Sequence, residues 1–346
     1  MRFSLALVLA VAAASVGVAQ QRALARLPVD IFDVMPPSAR VAGAPGDMSV
    51  RQTACRALPT AEVRRRIVEV ATQEWAYFGF TLVDQTTPEP SVRPGGATAD
   101  AGPRTRRRWP TLSADEAARV ADSIGGYWSA TPEGGWILDA QNEIWTRPRG
   151  IAARWRYPWS AAFVSWVMCE GGLGDTERFR RAVAHHVYID QAIRARTAAR
   201  PQSAFVAYEI GETSISPGDL LCSARRPAYD SIAARRRQMG DGARTHCDIV
   251  VKVDESRARI LAIGGNVRGT VSLKLLPAAP QPGTGLRPLD GRRPLFVHLK
   301  LRAEPIEDDA LDRTPTVEVL VCGEPNAAPA WQAARGLVSE RPASRC

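Results

Sequence analysis

From Ala161 to Met168 the chain reads Ala-Ala-Phe-Val-Ser-Trp-Val-Met, apolar on nearly every side of a helix, and the rest of a fold must enclose such a helix. Pro158 suits the first turn, and Gly171-Gly172 ends the segment. A buried, central helix follows, with Ser160 at its front.

The pattern before this helix is helical. Thr60 can cap a helix in which Ile67, Val70, Ala71, Trp75 and Phe78 recur at helical spacing, ending at Gly79. Ser113-Ala-Asp-Glu116 has the form of a capping box for a helix toward Ile124. Gly125 to Pro148 carries Tyr127, Trp128, Trp136 and Trp145 among several Gly, either a cap over the core or a wall for stacking glycan or peptide. A further amphipathic helix is expected from about Thr176 to Ala199.

The pattern after it is β. Short runs at Phe205 to Ile210, Asp219 to Cys222, Asp248 to Val253, Arg259 to Ile263, Thr270 to Leu275 and Leu295 to Leu301 read as strands, with a turn at Asp254-Glu255-Ser256. Helices first and strands second predict an α+β fold, helices packed on one mainly antiparallel sheet. One domain is expected over residues 60–302, with insertions at 85–110 and 225–244, an extended leader at 20–59 and a tail at 303–346.

The first nineteen residues have a positive start at Arg2, an apolar run from Leu5 to Val18 and a small-residue cleavage pattern ending at Ala19. They read as a signal peptide, placing the protein in the periplasm or secreting it. No later stretch is apolar for the roughly 18 residues a membrane span needs. In an oxidising compartment the Cys at 55, 169, 222, 247, 322 and 346 allow one to three disulfides. Cys222 and Cys247 lie on strands expected to be neighbours, so a cross-strand disulfide is the first reading and a free reactive thiol the second; Cys169 is expected to be a buried thiol. No Cys-x-x-Cys spacing supports zinc, and no cofactor is expected. The net charge of +9 is partly concentrated in Arg104 to Arg108 and Arg235 to Arg237, read as solvated loops. No aromatic residues interleave with these runs, which argues against a nucleic-acid partner.

Nucleophilic acyl transfer needs an attacking atom beside a base, a third group that orients the base, and donors for the developing oxyanion. Ser160 stands where unpaired backbone amides of a helix start favour negative charge. His246 opens a strand, with Asp248 on the same face by the two-residue period and Cys247 on the other. Asn266 follows Gly264-Gly265 in a turn that could aim its amide at the imidazole. His185 and His186 are adjacent on a helix, with Asp190 four beyond His186, and read as a surface interaction ahead of a metal site; His298 reads as a solvent-side strand residue.

The motifs Trp159-Ser-Ala-Ala-Phe-Val-Ser-Trp166, Pro217-Gly-Asp-Leu220, His246-Cys-Asp-Ile-Val250 and Gly264-Gly-Asn266 resemble those of the domain of unknown function family DUF2272. They are also similar to amidase and endopeptidase domains of the CHAP and NlpC type. The resemblance covers roughly Thr60 to Arg302. It implies a papain-like fold and maps nucleophile, base and orienting residue onto Ser160, His246 and Asn266, with Trp159, Ala161 and Asp248 about the cleft and oxyanion site. The departure is Ser in place of Cys. A thiolate can be stored beside a cation, whereas a serine hydroxyl must lose its proton to a base as it attacks. The implied partner is a cell-envelope polymer or peptide such as peptidoglycan, cleaved at an amide bond. The alternative is a catalytically silent envelope-binding module in which Ser160 only caps its helix and Trp128, Trp136, Trp145 and Trp159 hold glycan or peptide.

Overall fold

The computed structural model describes residues 24–86, 114–153, 155–198, 202–226, 228–289, 293–322 and 336–338. The segment expected to be a signal peptide, most of the expected 85–110 insertion and Ser113 of the expected capping box lie outside these residues. In chain order the elements are β1 (Val41–Ala42), β2 (Ser49–Val50), α1 (Thr60–Tyr77), β3 (Thr81–Asp84), α2 (Ala114–Ser129), α3 (Gly134–Trp145), α4 (Ser160–Glu170), α5 (His185–Thr197), β4 (Phe205–Tyr208), β5 (Leu220–Arg226), α6 (Ile232–Arg236), β6 (Arg244–Asp254), β7 (Arg259–Val267), β8 (Thr270–Gln281), β9 (Gly285–Pro288), β10 (Leu295–Leu301) and α7 (Pro315–Cys322).

The main sheet runs β3-β8-β7-β6-β5-β10-β4, with β9 paired to β8. All pairings are antiparallel except β3 with β8. The fold is therefore α+β, as the order of helices and strands predicts. Cys247, Ile249, Val251, Leu261, Ile263 and Leu273 join the helices in the large core, while Leu221, Val250, Ile260, Ala262 and Leu276 form a second cluster on the other face. Burial on both faces is why β6 reads as a continuous β-branched run instead of alternating.

Helix α4 is the centre of the core. Every residue from Ala161 to Glu170 is buried. The Trp159 ring is stacked between Phe78 at 5.8 Å and Tyr127 at 5.9 Å. Strand β7 approaches α4 closely because residue 265 is Gly: a Cβ there would lie 2.6 Å from Phe163 Cβ. Pro158 precedes the helix instead of entering its first turn, and Trp159 is the N-cap. Truncating Phe163 to Ala would cost about 3–5 kcal/mol through the cavity it leaves.

The leader is pinned to the far end of α4. Arg40 Nη1 meets Glu170 Oε1 at 3.0 Å, both side chains buried, and Cys55 is disulfide-bonded to Cys169. Cys169 is thus not the isolated thiol expected; its partner comes from the leader, whose irregular sequence carries no periodic signal of its placement. Past Arg302 the chain turns back, where Lys252 Nζ meets Asp312 Oδ2 at 2.7 Å and α7 packs on α1.

Three further expectations are corrected. His298 is fully buried and bonds Asp219 Oδ2 at 2.9 Å, because β10 lies between β4 and β5 and not at a solvent face. Asp219, in the Pro-Gly-Asp-Leu motif, also takes Arg64 Nη1 at 2.8 Å and the Leu301 amide at 3.0 Å, so this motif is a structural junction. Arg235 is not a solvated loop cation: α6 buries it against Asp190 at 2.7 Å, and the Asp190 charge still acts on His186, where it favours the protonated ring. The helix expected from Thr176 begins only at His185.

Candidate functional site

Two helices start at one place. Ser160 is the first residue of α4 and His185 the first residue of α5, and neither helix start has a side-chain cap. Ser160 Oγ lies 2.7 Å from His185 Nε2. The Ser160 hydroxyl therefore serves an imidazole and does not cap its own helix. Both helix dipoles direct their positive ends here, a field that favours negative charge. His185 is buried, contrary to the surface role expected for it, because α5 starts nine residues later than its amphipathic pattern suggests.

The other nitrogen of His185, Nδ1, receives the Cys247 N–H at 3.2 Å and contacts the Tyr188 hydroxyl. Tyr188 sits one helical turn along α5, three residues on, where side chains share a face. The i,i+3 spacing of His185 and Tyr188 was the one signal in the sequence that could have joined them.

A second chain of groups adjoins the first. The His246 and His185 ring centroids are 5.1 Å apart. His246 Nε2 bonds Asp248 Oδ1 at 2.9 Å, and Lys274 Nζ meets Asp248 Oδ2 at 2.6 Å. His246 and Asp248 share one face of β6, as the two-residue period predicts. Lys274 stands on β8 and reaches across β7 to the carboxylate, while Gly264 of β7 leaves room for the His246–Asp248 bond itself. A Cβ at 264 would lie 2.0 Å from Asp248 Oδ1 and 3.0 Å from His246 Nε2.

The backbone explains how these groups meet. The β6–β7 register runs from Asp254↔Arg259 to Ile249↔Ile263, and β7 carries an irregularity between Gly264 and Val267. Beyond Ile249 the strands part. The Cys247 N–H then reaches His185 in place of a ladder partner. Behind it, Cys247 is disulfide-bonded to Cys222 across the paired strands β5 and β6, as expected for those two residues.

Electrostatics follow the contacts. Burial pushes the His185 pKa well below the ordinary histidine value, and the neighbouring His246 adds to this. His246 is also lowered, first by burial; Asp248 opposes the shift and Lys274 reinforces it. Burial alone would raise the Asp248 carboxyl, but Lys274 and His246 outweigh it and hold the group well below the usual carboxylate range. At neutral pH the site contains neutral imidazoles and an ionised carboxylate.

The remaining expected residues fall as follows. Asn266 is half-buried with a left-handed φ of +55°, and among the described residues its amide bonds neither imidazole. The group that orients His246 is Asp248. Ala161 lies buried in the first turn of α4, while Trp159 belongs to the core and not to a cleft wall. Trp128 and Trp145 are buried as well; of the four Trp expected to form a stacking wall only Trp136, 52% exposed, faces solvent. Among the described residues no helix is long and apolar enough to cross a membrane.

Residues 115–301 match the family model DUF2272, described as an uncharacterized protein conserved in bacteria. No curated protein and no solved structure matches the chain.

Proposed function

This chain belongs to the DUF2272 family, and we propose that it is an exported hydrolase with a papain-like arrangement of the CHAP and NlpC type, using Ser160 to attack amide bonds of the cell envelope. The observation that carries this reading is the 2.7 Å contact of Ser160 Oγ with an imidazole at the meeting point of two uncapped helix starts, beside a His246–Asp248–Lys274 chain.

His246 is the general base in this reading. Its Nε2 faces a carboxylate, which accepts a hydrogen bond and so keeps the proton there, leaving the Nδ1 lone pair open. In the reaction Ser160 Oγ bonds to the carbonyl carbon while its proton passes to His246 Nδ1. The carbonyl π pair moves to oxygen, where first-turn amides such as that of Ala161 stabilise it. Collapse expels the amine, which takes the proton from His246, and water then hydrolyses the acyl-enzyme by the same steps. At rest the hydroxyl bonds only His185 among the described residues; the contact to His246 forms as substrate settles, a common tightening between free and bound enzyme. Three of the four Trp are buried, which favours this reading over a silent module that holds glycan by stacking.

The test uses purified full-length protein on peptidoglycan fragments, with release of free amines as the readout. Cleavage that is lost in Ser160→Ala supports the reading. Ser160→Cys under mild reduction should gain thiol reactivity dependent on His246. Absence of cleavage in the wild type together with a His246-independent thiol in Ser160→Cys would falsify it.

A further inference from the structure

His185 has a contact at each nitrogen, and the two differ in kind. A backbone N–H can only donate, so the Cys247 N–H, 3.2 Å from Nδ1, must meet a lone pair there. Nδ1 then carries no proton, and the Tyr188 hydroxyl, which contacts the same nitrogen, can only donate to it as well. The proton of the neutral ring is left on Nε2, which faces Ser160 Oγ at 2.7 Å. A base-type imidazole has the reverse arrangement: its distal N–H donates to an acceptor, and its proximal lone pair meets the hydroxyl. Among the described residues no carboxylate or carbonyl stands at His185 Nδ1; two donors do.

We infer that His185 is a fixed hydrogen-bond donor to Ser160 Oγ, its tautomer set by the Cys247 amide and by Tyr188 as positioning residue, so that it cannot serve as the base. The consequence for catalysis rests on the reading of Ser160 as nucleophile; the tautomer itself does not. With Oγ accepting from Nε2–H, the hydroxyl proton is free to point elsewhere, toward the second imidazole. As the acyl-enzyme breaks, the carbon–Oγ bond pair returns to Oγ, and the same N–H stabilises that charge until the proton held by His246 arrives. Burial, which keeps the ring neutral, agrees with this assignment.

The test is long-range ¹H–¹⁵N correlation NMR on the full chain with ¹⁵N-labelled histidine, followed through a pH titration. For His185 the result expected is a protonated Nε2 and a lone-pair Nδ1. Tyr188→Phe removes a bond to the neutral form, so the His185 pKa should rise; a purely packing role for Tyr188 leaves it unmoved. His185→Gln retains an N–H donor and should slow Ser160 acylation by less than about tenfold, where loss of a general base costs about 100-fold or more. A protonated Nδ1, or a His185 pKa that falls in Tyr188→Phe, overturns the inference. Absence of Ser160 acylation in every variant overturns the hydrolase reading instead, with the NMR result standing on its own.

Discussion

Gly264 lies directly beside the bond between His246 and Asp248: a Cβ at this position would come within 2.0 Å of Asp248 Oδ1. The space that a side chain would fill holds Asp248 Oδ1 and His246 Nε2. Gly264→Ala should therefore displace the dyad while leaving the helices intact. We expect serine acylation to fall by about 100-fold, the scale of an ångström-sized misplacement, with a far-ultraviolet circular dichroism spectrum like that of wild type.

In the proposed reaction Lys274 also sets the working pH. His246 is held below its ordinary value near 6.5, so the base is neutral at pH 7 and acylation should decline only as pH falls below that point. Lys274→Met removes a cation that lowers the His246 pKa. The acid limb of the acylation rate should move to higher pH, and a limb that stays in place or moves lower contradicts the electrostatic account.

Asp219 predicts acid lability. Burial would raise its pKa, but His298, Arg64 and Lys300 outweigh burial and hold it at about 2, below the value of 3.8 for a free carboxylate. A depressed folded pKa gives stability that is present above the unfolded value and is lost as pH falls toward the folded one. Between about pH 4 and pH 2 the protein should lose roughly 2 kcal/mol from this group, read from urea midpoints at successive pH values. The Asp248 carboxyl adds to the loss in the same direction.

The expected elements divide by how local their causes are. Six of the seven strands from Phe205 to Leu301, the buried α4 helix and the facing of His246 with Asp248 follow from residue patterns that the chain carries within a few residues. The site's other half does not. Whether His185 lies on a surface or against Ser160 depends on where α5 begins, and the amphipathic pattern from Phe179 to Val187 continues through a non-helical segment that packs equally apolar residues. His298 and Arg235 were misread for one reason: burial of a polar side chain depends on a partner from another element, here Asp219 and Asp190, and pattern within one strand or loop is silent on that. The Trp-rich stretch became two helices because Gly125, Gly126 and Gly134 serve close packing; a Cβ at 126 would lie 1.8 Å from Pro37 O.

Arg235 and Asp190 give a test of that buried pair. Arg235→Met leaves the Asp190 charge without its guanidinium and should cost about 3–5 kcal/mol. Arg235→Met with Asp190→Leu should recover most of the loss, both read by chemical denaturation.

The disulfide from Cys55 to Cys169 spans 114 residues of sequence. Replacing both with Ala should lower stability by about 4–5 kcal/mol, the loop-closure value for a ring of that size. The site, at the other end of α4, should keep its reactivity at 25 °C.

The central claim is that Ser160 is a nucleophile served by His246. It is tested most directly by treating the purified protein with a fluorophosphonate and locating the adduct by peptide mass spectrometry. The account predicts one phosphonylated residue, Ser160, with labelling abolished in Ser160→Ala and reduced at least about 100-fold in His246→Gln. A wild-type protein that remains unlabelled, or one whose labelling is indifferent to His246, contradicts it.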